Sequence, residues 1–93
     1  MTTLEPPAII EVLRDHGGTL GERMVLLDYL KRNGVEVRIV GMCGSACEFF
    51  LTLPKDQVCV SPQAWFGSHD INDDAVIHWE RGRDVIARGF RTC

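Results

Sequence analysis

The sequence lacks several features that would place it in a familiar class of protein. No apolar run approaches the ~20 residues of a membrane-spanning helix, and no internal repeat or low-complexity segment is present. Neither sign of charge dominates, because 10 basic and 13 acidic residues give a formal net charge of −3. We therefore expect neither a membrane nor a nucleic acid as a partner.

The first residues do not have the character of a secretory leader. Residues 1–5, with the sequence MTTLE, do not begin like a signal peptide, so we expect a cytoplasmic protein. The 93 residues suffice for a single small domain, spanning 1–93, with one thin hydrophobic core. Apolar residues at 45% and charged residues at 25% are typical of an ordinary globular domain.

Cysteine is present, but not in a pattern typical of a secreted disulfide framework. The cysteines are dispersed along the chain, at Cys43, Cys47, Cys59 and Cys93. We expect them to be buried small apolar side chains. Cys43 and Cys47 could instead form a bridge, or bind a metal together with His69. Metal sites usually contain a second closely spaced pair of ligands, which this sequence lacks, so we expect no metal and no other cofactor.

The clearest predicted element is a helix that begins after Thr19. Thr19 and Glu22 have the spacing of a capping box, in which each side chain accepts the other residue's backbone N–H. The pair Asn33-Gly34 ends this helix. Residues 8–15 precede it and fit neither the strand period nor the helix period. The apolar face of the helix is predicted from residues at helical spacing, which are Leu20, Met24, Leu27 and Leu30.

Farther along the chain, short strands alternate with helices. The pattern predicts strands over 35–40, 57–60 and 64–67. It predicts a helix over 46–53 that Pro54 stops. A last helix is predicted to begin at residues 72–74 and to continue through Val76, Trp79 and Ile86 to Gly89. This alternation favours an α/β fold with some parallel strand pairing.

The most informative segment is residues 41–51, GMCGSACEFFL, where the strand over 35–40 meets the next helix. Ser45 lies at this junction, near the free backbone N–H groups at the positive end of the new helix. Such groups can stabilise an oxyanion, which a serine nucleophile needs. A purely structural role is the alternative, because Ser45 and Glu48 also have the spacing of a capping box.

Two further features lie at informative distances from this serine. Gly17-Gly18 precedes Ser45 by 27 to 28 residues, and His69 follows it by 24. In order and spacing, these features resemble the ClpP/crotonase superfamily, and specifically its ClpP-like serine peptidases. The resemblance covers roughly residues 14–70, about 60% of this chain and about half of a family domain. It implies a ClpP/crotonase-like alternating strand-helix core that is truncated and incomplete relative to the family.

The resemblance also implies an activity and a set of site residues. It implies a serine peptidase that acts on peptide or protein substrates through an acyl-enzyme and assembles as a homo-oligomer. Ser45 would be the nucleophile and His69 its general base. Backbone N–H groups of Gly17 or Gly18, together with that of Ala46, would form the oxyanion hole.

The sequence departs from the family in two places: it offers no clear acidic third catalytic residue, and the residue before Gly17-Gly18 differs. The acidic third residue of the family lies well beyond the histidine, and Asp70, Asp73 and Asp74 are poor candidates for it. Asp70 would point to the opposite face of a strand from His69. His16 stands where the family usually has proline. A second hypothesis is therefore a non-catalytic assembly or partner-binding module with the same fold, and an acyl-CoA-handling role is a more distant third.

Overall fold

The computed structural model describes residues 8–93, which form a small α/β domain with one mixed six-stranded sheet. Residues 1–7, which include the segment judged unlike a signal peptide, lie outside the described residues. The elements in chain order are strand β1 (Ile9–Asp15), helix α1 (Leu20–Arg32), strand β2 (Glu36–Gly44), a 3₁₀ helix (Ser45–Thr52), a 3₁₀ turn (Lys55–Gln57), and strands β3 (Val58–Val60), β4 (Trp65–His69) and β5 (Ile77–Arg81), then helix α2 (Gly82–Ala87) and strand β6 (Arg91–Thr92).

Strand β2 is the centre of the sheet. Strand β1 pairs with it in parallel along most of its length, up to the partners Asp15 and Cys43. On the other side of β2, β3 pairs in parallel with its first half and β4 with residues 42–44. Strand β6 extends the sheet beyond β3, and β5 pairs antiparallel with β4. The carboxyl ends of β1, β2 and β4 therefore lie together at one edge of the sheet.

Helix α1 begins and ends where the sequence predicts. Thr19 is its N-cap, and the Thr19 hydroxyl accepts the backbone N–H of Glu22 at 3.4 Å. Asn33 is its C-cap, and Gly34 follows with a φ of +62°. A glycine with positive φ after the last turn is a common way to end a helix.

The buried face of α1 agrees with the sequence prediction only in its second half. Leu27 and Leu30 are buried in the core beside the sheet, whereas Leu20 and Met24 are exposed. Arg23 is buried in place of those two apolar residues. The first turns of α1 lie next to the turn at Gly17-Gly18, which follows β1. The guanidinium of Arg23 donates to the Gly17 carbonyl there, and an apolar side chain could not.

The strands are close to the predicted ones, and their burial explains the match. Residues 8–15, which the sequence left ambiguous, contain β1, and the strand predicted over 35–40 extends to Gly44. All three residues of β3 are buried, as expected for a parallel strand covered on both faces. The helix predicted over 46–53 is a 3₁₀ helix that starts at Ser45.

The prediction of a helix that begins at residues 72–74 is wrong. Residues 77–81 form β5 instead, and only Gly82–Ala87 is helical before Gly89 ends that segment with a φ of +110°. Strand β5 pairs with every residue of β4, with Trp79 opposite Gly67. The pairing with β4 stabilises residues 77–81 as a strand, and it outweighs the weak local preference for a helix. A pattern of neighbouring residues does not show that β4 is available as a partner.

All four cysteines form disulfides, so the Cys43–Cys47 bridge that the sequence left open is present, whereas the Cys59–Cys93 bridge was not expected. Cys43 bridges to Cys47, with Cα atoms 5.3 Å apart. Cys59 in β3 bridges to Cys93 after β6, with Cα atoms 4.8 Å apart. The second pair is separated by 34 residues and meets only because β6 lies beside β3. Among residues 8–93, none of the helices has the length and apolar character needed to span a bilayer.

Candidate active site

Ser45 occupies a strained turn between β2 and the 3₁₀ helix. Its φ is +55°, and it is the one non-glycine residue with positive φ in the described chain. Such a backbone costs about 1–3 kcal/mol and persists where the surrounding structure imposes it, often at functional sites. Gly44, not Ser45, holds the N-cap position, and no side-chain cap hydrogen bond forms there. The interpretation of Ser45 as a helix cap is therefore wrong.

The disulfide between Cys43 and Cys47 spans this turn. Both cysteines are fully buried, and Ser45 lies midway between them in the sequence. The bridge ties the end of β2 to the first turn of the 3₁₀ helix. A short covalent loop of this kind restricts the backbone conformations that Ser45 can adopt.

The glycine turn after β1 packs directly against the Ser45 turn. A Cβ atom on Gly17 would lie 3.0 Å from both the Cβ of Ser45 and the backbone nitrogen of Ala46. Gly17 and Gly18 have φ values of +101° and +131°, which residues with side chains rarely adopt. The fold thus brings together the backbone segments that the sequence suggested for an oxyanion hole.

Of the two candidate glycine donors, Gly17 is already engaged. Its N–H donates to Oδ1 of Asp15 at 2.8 Å, and its carbonyl accepts from the guanidinium of Arg23 at 3.2 Å. An N–H group that is committed to a carboxylate cannot also bind a developing oxyanion well. Of the oxyanion donors that the sequence suggested, the N–H groups of Gly18 and Ala46 therefore remain as candidates.

His69 is the last residue of β4, and its ring is exposed at the same edge of the sheet. Its Nδ1 lies 2.9 Å from the main-chain oxygen of Asp74. A carbonyl oxygen can only accept, so Nδ1 carries a proton, and in the neutral ring Nε2 is then the nitrogen with the free lone pair. This is the tautomer that a general base requires.

The acidic residues near His69 have other partners. The Asp70 carboxylate accepts from Nε2 of His78 at 2.7 Å and from the backbone N–H of Asn72 at 2.9 Å. The hydrogen bond from His78 lowers the pKa of Asp70 below its usual value. Asp73 accepts the backbone N–H of Ala75 at 3.0 Å, which closes a local turn. The group that orients His69 is thus a main-chain carbonyl, which side-chain patterns do not show.

Ser45 and His69 line one cleft of ≈ 350 Å³. Its other walls include His16, Met42, Ile77 and Trp79. Sequence reasoning did not assign these four residues to the site, and two of them lie on β5, which was predicted to be helical. Within the described part of the chain, the His69 ring bonds to Asp74 and not to Ser45. Both residues therefore line the same cleft without a hydrogen bond between their side chains.

A hydrogen bond links the helix that follows Ser45 to the strand that ends in His69. The hydroxyl of Ser68 donates to Oε2 of Glu48 at 2.8 Å. Burial raises the pKa of Glu48, and this hydrogen bond acts in the opposite direction. Glu48 thus fixes the 3₁₀ helix to β4 rather than closing a capping box with Ser45.

Comparisons with known proteins add no further constraint on this site. No family model, curated protein or solved structure matches the chain. Residues 8–93 contain no cluster of three or more His, Cys, Asp or Glu side chains placed to bind a metal ion.

Proposed function

We propose that this chain is a ClpP-like serine hydrolase that cleaves peptide bonds through an acyl-enzyme formed on Ser45. The observation that carries the proposal is the shared cleft of Ser45 and His69 at the carboxyl edge of three parallel strands. Ligand sites in parallel α/β sheets lie at this edge. The strained backbone of Ser45 and the His69 tautomer both support a reactive pair rather than a structural one.

The reaction follows from these positions. As the Ser45 hydroxyl oxygen attacks the substrate carbonyl carbon, its proton passes to Nε2 of His69. The carbonyl oxygen becomes an oxyanion, which accepts hydrogen bonds from the N–H groups of Gly18 and Ala46. When the C–N bond breaks, His69 returns the proton to the leaving amine. Water then attacks the Ser45 ester with His69 again as the base, and the free serine is restored.

The direct Ser45–His69 hydrogen bond is expected to form in the substrate complex. Catalytic hydrogen bonds are often long in unliganded enzymes and shorten when substrate binds. The His69 ring is exposed at the end of β4. We expect a substrate that fills the cleft to bring Nε2 and the Ser45 hydroxyl together while Nδ1 keeps its contact with the Asp74 carbonyl.

The homo-oligomer that the sequence suggested stays a prediction. The two disulfides weigh against the expected cytoplasmic location, because structural disulfides persist mainly in oxidising compartments. We therefore propose an oxidising compartment in place of the cytoplasm. Samples for assay should be kept free of reductant so that both bridges remain intact.

Covalent labelling tests the proposal. Folded protein is treated with a fluorophosphonate, and its intact mass is compared with that of Ser45→Ala, His69→Ala and the control variant Ser61→Ala. We expect one adduct on the wild type and on Ser61→Ala, none on Ser45→Ala, and labelling slowed by about 10²–10⁴-fold in His69→Ala. Ser61 accepts the backbone N–H of Gln63 and does not line the cleft, so it controls for nonspecific serine reactivity.

The absence of an adduct on folded wild-type protein would overturn the hydrolase proposal. The chain would then be a non-catalytic assembly or partner-binding module, the second hypothesis that the sequence raises. An adduct that survives in Ser45→Ala would also count against it, because the reactive serine would lie elsewhere. Peptide cleavage by wild type but not by Ser45→Ala would extend the result from reactivity to turnover.

A further inference from the structure

Arg23 is an unexpected buried charge on helix α1. It is the one charged residue that is buried among residues 8–93, with 9% of its surface exposed. Removing a guanidinium from water is costly unless partners satisfy it. Its Nη2 donates to the Asp15 carboxylate at 2.8 Å and 3.0 Å and to the carbonyl of Gly17 at 3.2 Å. Its charged group also lies over the Phe50 ring, 4.8 Å from the centroid.

These contacts hold both polar backbone groups of Gly17. Asp15 accepts its N–H and Arg23 donates to its carbonyl, while Asp15 and Arg23 also form an ion pair with each other. The three residues therefore form a closed ring of charge-assisted hydrogen bonds. Such bonds are shorter and stronger than those between neutral groups. A glycine turn would otherwise be the most conformationally free part of this chain.

Fixing the carbonyl of Gly17 also fixes the N–H of Gly18. The peptide unit between them is planar and trans, so this N–H points opposite to the Gly17 carbonyl. The carbonyl is directed at Arg23, and the N–H of Gly18 is therefore directed away from the Arg23 guanidinium. The Arg23–Phe50 contact adds a link to the 3₁₀ helix that begins at Ser45, so the turn and the nucleophile share one support.

We infer that Arg23 and Asp15 are positioning residues that orient the Gly18 N–H as an oxyanion donor beside Ser45. The inference rests on the proposed hydrolase function and deepens it. Neither side chain touches the substrate; both act through the backbone of Gly17. A matched ion pair on the same helix, Arg32 with Asp28, is exposed and contacts neither the glycine turn nor the Ser45 turn.

The test compares Arg23→Met, Arg23→Lys and Asp15→Asn with the control Arg32→Met. The fluorophosphonate reaction is resolved into inhibitor affinity and the maximal rate of covalent labelling, at a temperature well below each variant's Tm. We expect Arg23→Met to lower the maximal rate by about 10²-fold with affinity unchanged, because one oxyanion donor is worth about 10²–10³-fold. Arg23→Lys should restore part of the rate, since lysine keeps the charge but not the planar fork.

Asp15→Asn and the control complete the comparison. Asp15→Asn keeps an acceptor for the Gly17 N–H but loses the ion pair, so we expect an intermediate rate. Arg32→Met should label like the wild type. A purely structural role for Arg23 predicts a lower Tm with an unchanged maximal rate in the folded variants, and that result would overturn the inference. Arg23→Lys and Asp15→Asn keep most of the side-chain packing and are expected to fold. A labelling rate from any one folded variant therefore decides between the positioning role and the purely structural role.

The outcomes also separate this inference from the proposed function. If wild-type protein labels at Ser45 and the folded variants label equally fast, the positioning role fails and the hydrolase proposal stands. If folded wild-type protein does not label, both fail together. Hydrogen exchange at the Gly17 amide gives an independent check, because loss of the Asp15–Arg23 pair should speed its exchange by about 10-fold or more. Unchanged exchange in Arg23→Met would contradict the inference whatever the labelling shows.

Discussion

At the residue scale, the orientation of His69 depends on a main-chain oxygen. Its Nδ1 contacts the carbonyl of Asp74, while Asp70 is engaged by His78. A carbonyl can select the tautomer as a carboxylate does, but it does not add a full negative charge beside the ring. We therefore expect catalysis to be slower than in an enzyme whose histidine contacts a carboxylate. The backbone contact also makes the site insensitive to the identity of residue 74.

This difference gives a prediction for Asp74→Asn. The substitution keeps the main-chain oxygen, so the fluorophosphonate labelling rate should stay at the wild-type level. In the trypsin-type triad, by contrast, replacing the aspartate with asparagine costs about 10⁴-fold in rate. Rates are measured by intact mass, with His69→Ala as the inactive reference. A large loss of rate in Asp74→Asn would show that its carboxylate orients His69 in the working enzyme.

At the element scale, strand β5 forms one wall of the cleft because it pairs with β4. Trp79 lies opposite Gly67, and its ring would be 2.8 Å from a Cβ atom on that glycine. Next along the pair, the guanidinium of Arg81 lies 4.9 Å from the centroid of the Trp65 ring. The absence of a side chain at residue 67 therefore lets the indole lie flat across β4.

We predict that Gly67→Ala displaces the Trp79 ring and destabilises the protein by about 1–3 kcal/mol, as overpacking commonly does. Urea unfolding followed by tryptophan fluorescence measures both effects. The matched control is Gly21→Ala in helix α1, where a Cβ atom would meet open space. That change should be neutral or stabilise by up to about 1 kcal/mol. Equal stabilities for the two variants would contradict the packing of Trp79 over β4.

At the scale of the whole molecule, two disulfides support a small core. Cys59–Cys93 joins β3 to the segment after β6 across 34 residues, whereas Cys43–Cys47 spans only 4. A bridge stabilises mainly by restricting the unfolded chain, and longer loops gain more. The long bridge should therefore govern global stability. The short one should mainly govern the local conformation of Ser45.

Paired alanine variants separate these two roles. We predict that Cys59→Ala/Cys93→Ala lowers the free energy of unfolding by about 4 kcal/mol and Cys43→Ala/Cys47→Ala by about 2 kcal/mol. At temperatures where both variants stay folded, only the second should lose most of its Ser45 labelling. Urea unfolding and intact-mass labelling measure the two effects. A larger loss of labelling in the Cys59/Cys93 variant would contradict the assignment of the short bridge to the Ser45 turn.

The sequence by itself determined the parts of this protein that depend on neighbouring residues. The cap at Thr19, the end of α1 at Gly34 and the first part of β2 follow from local backbone preferences. The α/β class was therefore predictable. The grouping of Gly17-Gly18, Ser45 and His69 in one site was implied by the family resemblance alone. The assignment to the ClpP-like family stays a prediction.

The tertiary structure alone decided the features that depend on distant partners. Strand β5 exists because β4 offers it a pairing edge, and Cys93 finds Cys59 because β6 lies beside β3. Arg23 is buried because Asp15 and the Gly17 carbonyl satisfy its charge. Local propensities are worth only tenths of a kcal/mol per residue, so backbone pairing, burial and charge satisfaction across the fold outweigh them.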